Sequence, residues 1–281
     1  MDWFSAQKEL AGGLTPLYGE REAAVIADWV MEAISGKKKL QRMMIRTEPM
    51  PPVVLAVYES CRDELLAHRP VQYVLGESWF GGLKFYVDER VLIPRPETEE
   101  LVEWVIAEAS GEGRLLDVGT GSGCIAVTLA HRLAAVDVYA CDVSADALAV
   151  ARRNAHELGV RVGFFELDFL DSGRWAELPP LRWLVSNPPY IPVAEKPTMA
   201  THVTDYEPGS ALFVPNDDAL VFYRALGEFA RQRLATGGAL FAEIHEEMGM
   251  AVQNLLVQLG AREVVLRKDL QGKQRMVKAT W

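Results

Sequence analysis

The chain has 281 residues, 49% of them hydrophobic and 24% charged, an ordinary globular composition with room for one large domain and a smaller one. Its 29 Lys and Arg face 39 Asp and Glu, so the net charge of −10 repels phosphate backbones wherever no local basic patch reverses the field. No apolar run reaches the roughly 18 residues of a membrane span, the start has no basic-then-apolar leader, and the three cysteines (Cys61, Cys124, Cys141) lack metal-ligand spacing and read as free thiols of a reducing cytosol.

Up to about residue 74 the pattern is helical. "REAAVIADWVMEAI" (Arg21 to Ile34) carries apolar residues at 25, 26, 29, 30 and 34, a helical stripe. The one dense basic patch, "KKKLQR" (Lys37 to Arg42), is expected as a solvated turn after that helix. "PPVVLAVYESCRDELLAHR" opens on a double proline suited to a helix start, and Pro70 closes it. The period then changes. "SWFGGLKFYVDERVLIPR" is aromatic and β-branched around Gly81 and Gly82, which predicts a hairpin. It reads as a linker over residues 75–95, between a helical domain over 1–74 and a larger domain over 96–281.

From about residue 97 helices and strands alternate. "ETEELVEWVIAEA" reads as a helix, "RLLDVG" as a strand, "CIAVTLAHRL" as a helix and "VDVYACD" as a strand. The helix "DALAVARRNAHELG", the strands "VRVGFFELD" and "LRWLVSN", the helix "ALVFYRALGEFARQRLA" and the strand "GGALFAEI" follow. Such alternation predicts βαβ units, hence an α/β fold with a mostly parallel, Rossmann-like sheet covered on both faces. The tail, "REVVLRKDLQGKQRMVKAT", reads as two strands around Gly272, an antiparallel hairpin at one edge that brings the sheet to seven strands.

Two loops carry chemistry. "LLDVGTGSGCIAV" places Gly119, Thr120, Gly121, Ser122 and Gly123 between a buried-type strand and a helix, where bare backbone and helix N–H groups can approach a ligand. Asp142 ends the next strand, placed to accept hydrogen bonds from both hydroxyls of a ribose. The loop is G-x-G-x-G, not the G-x-G-x-x-G of nicotinamide cofactors, and no P-loop lysine follows it. The second loop is "SNPPY". Proline has no N–H for a sheet ladder, so the strand stops before Pro188, and two fixed φ angles make the loop stiff. Asn187 there either caps its own backbone or faces a ligand across the strand ends.

The glycine loop resembles the first motif of Rossmann-like S-adenosylmethionine-dependent methyltransferases. That resemblance implies that Asp168 and Phe169 hold the adenine, although Asp168 also suits a helix N-cap. "NPPY" resembles the (D/N/S)-P-P-(Y/F) motif of methyltransferases acting on planar amino groups. It implies that Asn187 and the Pro188 carbonyl accept the two N–H groups of the acceptor, with Pro189 stiffening the loop and Tyr190 packing on the flat group. "RPVQYVLGESWFGGLKFYVDERVLIPRPETEELVEW", "LLDVGTGSGCIAVTLA", "VSNPPYI", "YEPGSALF" and "GKQRMV" together resemble the release factor glutamine methyltransferases (the PrmC/HemK type) over roughly residues 69 to 281. The resemblance implies methylation of the glutamine side-chain amide in the Gly-Gly-Gln motif of class-1 peptide-chain release factors in the cytoplasm. It further implies S-adenosyl-L-methionine as cofactor, S-adenosyl-L-homocysteine as product, and release-factor docking by the N-terminal helices. No metal, membrane or nucleic-acid partner is expected.

Two other readings share these motifs. A nucleic-acid methyltransferase acting on adenine or cytosine needs an added target-recognition segment or a basic groove, and neither is evident here. A non-catalytic adaptor on release factors or ribosomes would tolerate decay of Asn187 or the glycines, and both are intact. Glu97, beside Pro96 at a helix start, serves the helix dipole or touches cofactor or substrate. His245 stands where the family carries glycine and receives no role.

Overall fold

A computed structural model describes all 281 residues and divides them into two units, residues 1–77 with 200–206 and residues 78–199 with 207–281. In the first, α1 (Trp3–Ser35) starts where Asp2 accepts from the Ser5 N–H (2.7 Å) and stops at Gly36 with φ +63°. Gly19, non-helical at φ +75°, interrupts it shortly after Pro16. α2 (Lys39–Ile45), α3 (Pro52–Leu66) and α4 (Val71–Leu75) follow. Leu10, Leu14, Val30, Met31 and Leu65 form this unit's own core, and the buried Tyr58 hydroxyl donates to the Ala6 carbonyl (2.9 Å).

The basic stretch departs from the expected solvated turn. Lys37 and Lys38 do lie in an exposed turn, but from Lys39 on the stretch begins α2, and Arg42 on it is only 7% exposed. Its guanidinium donates to Asp28, Glu32 and the Lys37 carbonyl, while Lys37, Lys38 and Lys39 stay in water. Helical spacing turns one basic side chain inward onto two carboxylates of α1, which a count of charges does not reveal.

In the second unit β1 (Ser78–Phe80) and β2 (Leu83–Phe85) pair antiparallel across Gly81 and Gly82, both at positive φ, the hairpin predicted. Then come α5 (Pro96–Glu108), β3 (Gly113–Val118), α6 (Cys124–Arg132), β4 (Val136–Asp142), α7 (Ala145–Glu157), β5 (Gly163–Glu166) and β6 (Leu181–Ser186). β7 (Ile191–Pro192) pairs in parallel with β8 (Phe213–Val214); between them in sequence lies α8 (Thr201–Thr204), which groups with the first unit. α9 (Val221–Arg233), β9 (Leu234–Glu243), α10 (Gly249–Gln258), β10 (Glu263–Lys268) and β11 (Gln274–Thr280) complete the chain.

The seven-stranded sheet has the order β10-β11-β9-β6-β3-β4-β5. β11 is antiparallel to both its neighbours and every other pairing is parallel, as the α/β Rossmann-like reading with its C-terminal hairpin predicts. The pleat sends alternate residues to opposite faces. Leu115, Val185 and Phe241 pack under α5 and α6 with Leu101 and Leu129. Leu116, Leu184 and Leu240 pack under α9 and α10 with Phe229 and Leu256. Burying one such side chain stabilises by about 1.5–3 kcal/mol. The chain runs β3, β4, β5 toward one edge and then crosses to β6 on the other side of β3. Connections leaving β3 and β6 in opposite directions open a crevice at the strands' carboxyl ends.

Gly123 shows how tightly α6 meets α7. Its φ is +81°, and a Cβ there would lie 3.1 Å from the Ala151 Cβ and 3.2 Å from its Cα. Gly123→Ala is expected to cost about 1–3 kcal/mol of stability, read as a lower urea midpoint. An unchanged midpoint would mean the two helices separate freely.

Candidate active site

The crevice holds a cavity of about 410 Å³ lined from the ends of β3, β4, β5 and β6. After β3, Gly119 and Gly121 take φ +71° and +53°, and a Cβ at either would meet nothing within 4 Å. Both line the cavity. The N–H groups of Gly119 and Thr120 donate to the Cys141 carbonyl (2.9 and 3.1 Å), which ties the loop to β4. Thr120, Ser122 and Gly123 do not line the cavity. Thr120 is turned under the loop to donate to Asp117 (2.6 Å), and the Ser122 carbonyl accepts from the buried Asn154 (2.8 Å). Gly123 serves the helix contact described above. The loop thus divides into a ligand-facing pair and a supporting set.

Asp117, fully buried, accepts from the Thr120 hydroxyl and the Ala126 N–H (3.2 Å) through Oδ2, while Oδ1 has no partner. Burial pushes its pKa from 3.8 up to about 7. Folding therefore favours the protonated form. The associated stability is fully present below about pH 4 and is lost as pH rises through about 7. Asp117→Asn is expected to flatten that fall in unfolding free energy, measured by urea titration from pH 4 to 8. Equal slopes in variant and parent would remove Asp117 as its source.

Asp142 ends β4 and lines the cavity. Oδ2 accepts from the Gly121 N–H and Oδ1 from the Ser144 N–H, both at 2.9 Å. Each oxygen keeps a further acceptor position. Burial raises its pKa, and these N–H groups pull it back. Beside it Val143, 62% exposed, offers the cavity an apolar wall that sequence reading overlooked. Asp168 and Phe169 also line the cavity. Asp168 is exposed and accepts from the Leu170 N–H (2.9 Å), closing a turn; the following 3₁₀ helix is capped by Asp171 instead. The Phe169 ring is buried against Trp175 and Phe229.

Asn187, Pro188 and Pro189 follow β6 and line the same cavity. Asn187 Nδ2 donates to Thr98 Oγ1 (3.1 Å), and Thr98 donates to Glu243 Oε2 (2.7 Å). Tyr190 does not line the cavity; its hydroxyl donates to Glu243 Oε1 (2.9 Å) and its ring packs on His245. Glu243 is 1% exposed; burial raises its pKa, while the two hydroxyls and Arg275 oppose that. Glu97 sits half-buried on α5 outside the cavity lining, and its neighbour Thr98 is the residue that reaches Asn187. Glu207, also unremarked in the sequence, accepts from the Ile93 N–H (3.1 Å) and from Arg95 (2.5 Å). It fastens "YEPGSALF" to "VLIPR", and both segments contribute to the cavity wall through Ala211 and Leu92.

The donor set suits a cationic nucleoside without phosphate. Glu89, Asp142, Asp146 and Asp168 line the cavity against a single cation, Arg90, which Asp88 holds at 2.5 Å. Apolar walls come from Val143, Leu167 and Phe169.

A family model described as "Methyltransferase small domain" matches residues 97–204, and "PrmC N-terminal domain" matches residues 16–76. The release factor glutamine methyltransferase of Flavobacterium psychrophilum is 38% identical over 95% of each chain. That of Lactococcus lactis is 34% identical over 99% of each, and that of Chlorobaculum tepidum 43% identical over 84% of this chain and 83% of its own. Among solved structures, the hMettl16 catalytic domain in complex with MAT2A 3'UTR hairpin 6 superposes with a TM-score of 0.54 at 14% identity, covering 82% of each chain, a likeness of fold alone.

Proposed function

The chain belongs to the release factor glutamine methyltransferases, and we propose that the cavity at the ends of β3 to β6 is where it transfers a methyl group from S-adenosyl-L-methionine to the side-chain amide nitrogen of a release-factor glutamine. The observation that carries this reading is that Asn187, its Nδ2 engaged by Thr98, shares one cavity with Pro188 and Asp142. When bound, the cofactor supplies an electrophilic methyl group on a sulfonium and leaves as S-adenosyl-L-homocysteine. Gly119, Gly121 and Asp142 would hold its amino-acid and ribose parts, and Val143, Asp168 and Phe169 its adenine.

The acceptor amide is a poor nucleophile because its nitrogen lone pair is delocalised into the carbonyl. Asn187 Oδ1 and the Pro188 carbonyl would each accept one of its N–H groups, leaving the nitrogen face open. Prolines 188 and 189 add no competing N–H. Holding the amide in place supplies much of the rate. No strong base is needed: once the new N–C bond forms, the nitrogen is acidic and sheds its proton.

The partners are class-1 release factors carrying Gly-Gly-Gln, docked by the helical N-terminal region (residues 1–74), with the hairpin segment 75–95 leading into the catalytic region 96–281. The net charge of −10 and the acidic cavity argue against a nucleic-acid substrate. No helix is long and apolar enough to cross a membrane; the cytoplasm, where release factors act, is the proposed place of work. The test is transfer of tritiated methyl from labelled S-adenosylmethionine to a purified class-1 release factor, beside DNA and rRNA. Label is expected on the factor's glutamine. Label on nucleic acid, or on nothing, would overturn the reading.

A further inference from the structure

We propose that Glu243, acting through Thr98, is a positioning residue that fixes which end of the Asn187 amide faces the cavity. The inference rests on the reading that Asn187 accepts a hydrogen bond from the substrate amide. A carboxamide has an oxygen and a nitrogen of nearly equal size, so sterics alone does not choose between its two orientations. The hydrogen-bond chain does. Thr98 Oγ1 carries one proton and is 2.7 Å from Glu243 Oε2. The second oxygen of Glu243 takes the Tyr190 hydroxyl at 2.9 Å, so each oxygen accepts one hydroxyl; burial raises the Glu243 pKa, and these two hydroxyls and the charge of Arg275 oppose that rise. With both oxygens accepting hydroxyl protons the group acts as a carboxylate, which only accepts, and the Thr98 proton is committed to it. Thr98 Oγ1 then offers only lone pairs, and the Asn187 atom 3.1 Å away must be the donor Nδ2. Oδ1 is the end left for the cavity.

The burial of this chain fits the role. Thr98 is 2% and Glu243 1% exposed, so no water competes for the hydroxyl proton. A neutral partner able to donate would impose no direction. If Thr98 were free to donate, it could bond Oδ1 and turn the NH₂ group toward the cavity, where it would meet the substrate's N–H groups donor to donor.

Thr98→Val removes the hydroxyl at nearly constant shape and Thr98→Ser restores it. In single-turnover methylation of a release factor at saturating cofactor, Thr98→Val is expected to be ~10–100-fold slow with unchanged affinity for S-adenosylhomocysteine, and Thr98→Ser within a few-fold of wild type. Glu243→Leu should also be slow, and adding Thr98→Val should slow it no further, because both break one chain. A second readout needs no substrate. The Asn187 side-chain NH₂ resonance, assigned by its loss in Asn187→Ala, should be protected from solvent exchange in wild type and Thr98→Ser but not in Thr98→Val. Wild-type turnover in Thr98→Val, a serine variant as slow as valine, or no change in NH₂ protection would each overturn the proposal. A wild-type enzyme inert on release factors but with the protection pattern intact would instead sink the functional reading and leave the orienting chain standing.

Discussion

Asn187→Ala is expected to abolish most methyl transfer while leaving the cofactor bound. The side chain is only part-buried and makes a single hydrogen bond within the protein, Nδ2 to Thr98 Oγ1, so its loss removes little that holds the fold. In the proposed reading it removes the acceptor that aims the substrate amide, and misplacement of a reacting group by about 1 Å can cost about a hundredfold or more in rate. Asn187→Asp should be intermediate. It keeps an acceptor on the cavity side, but it replaces the donor Nδ2 by an oxygen opposite Thr98, whose proton belongs to Glu243. The measurement is single-turnover methylation of a release factor with each variant saturated in cofactor, beside the affinity for S-adenosylhomocysteine. Turnover of Asn187→Ala within a few-fold of wild type would make "SNPPY" only a stiff turn.

What the sequence made legible follows from burial. Strands covered on both faces read as continuous apolar runs, and Leu115-Leu116 and Leu184-Val185 stood out for that reason. Each bounds a loop of the cavity, so the glycine loop, Asp142 and "NPPY" came into view with them. α10 escaped notice because its stripe (Val252, Leu255, Leu256) lies between two strand-like segments, where a short apolar run has no distinctive period. β5 proved shorter than "VRVGFFELD", pairing only over Gly163–Glu166, since an edge strand has one neighbour to define its length. Composition likewise hid the inward turn of Arg42.

The site was legible one loop at a time and illegible where loops meet. Thr98 and Glu243 are 145 positions apart and touch only because β9 ends beside the start of α5. Neither side chain carries a local signal beyond its type. The resemblance implies Tyr190 as a substrate contact; the fold places its hydroxyl on Glu243, and Tyr190 does not line the cavity. Glu97 attracted attention for its place beside Pro96, whereas the neighbouring threonine makes the contact with Asn187. Glu207 explains why "VLIPR" and "YEPGSALF" belong together: one buried carboxylate joins them. Such pairings are properties of the closed chain.

Asp142→Ala is expected to weaken cofactor binding by about tenfold to several hundredfold. Hydrogen bonds to a charged group are worth roughly 1.5–3 kcal/mol each, and a factor of ten corresponds to about 1.4 kcal/mol. Loss of one proposed ribose contact, or of two at the weak end of that scale, gives that range. The fold adds a second cost. The same carboxylate accepts the Gly121 and Ser144 N–H groups at 2.9 Å, so alanine also frees the glycine loop from β4 on that side. Asp142→Asn separates the two costs. Its Oδ1 can still take one N–H, while its NH₂ can meet the ribose only as a donor. If direct contact dominates, Asn should bind nearly as poorly as Ala; if loop anchoring dominates, Asn should recover much of the affinity. Calorimetric titration with S-adenosylhomocysteine distinguishes these outcomes, with urea unfolding of each apo variant to report the loop's contribution to stability. An affinity unchanged in Asp142→Ala would take this residue out of the ribose site, and with it the main reason for placing a nucleoside between β3 and β4.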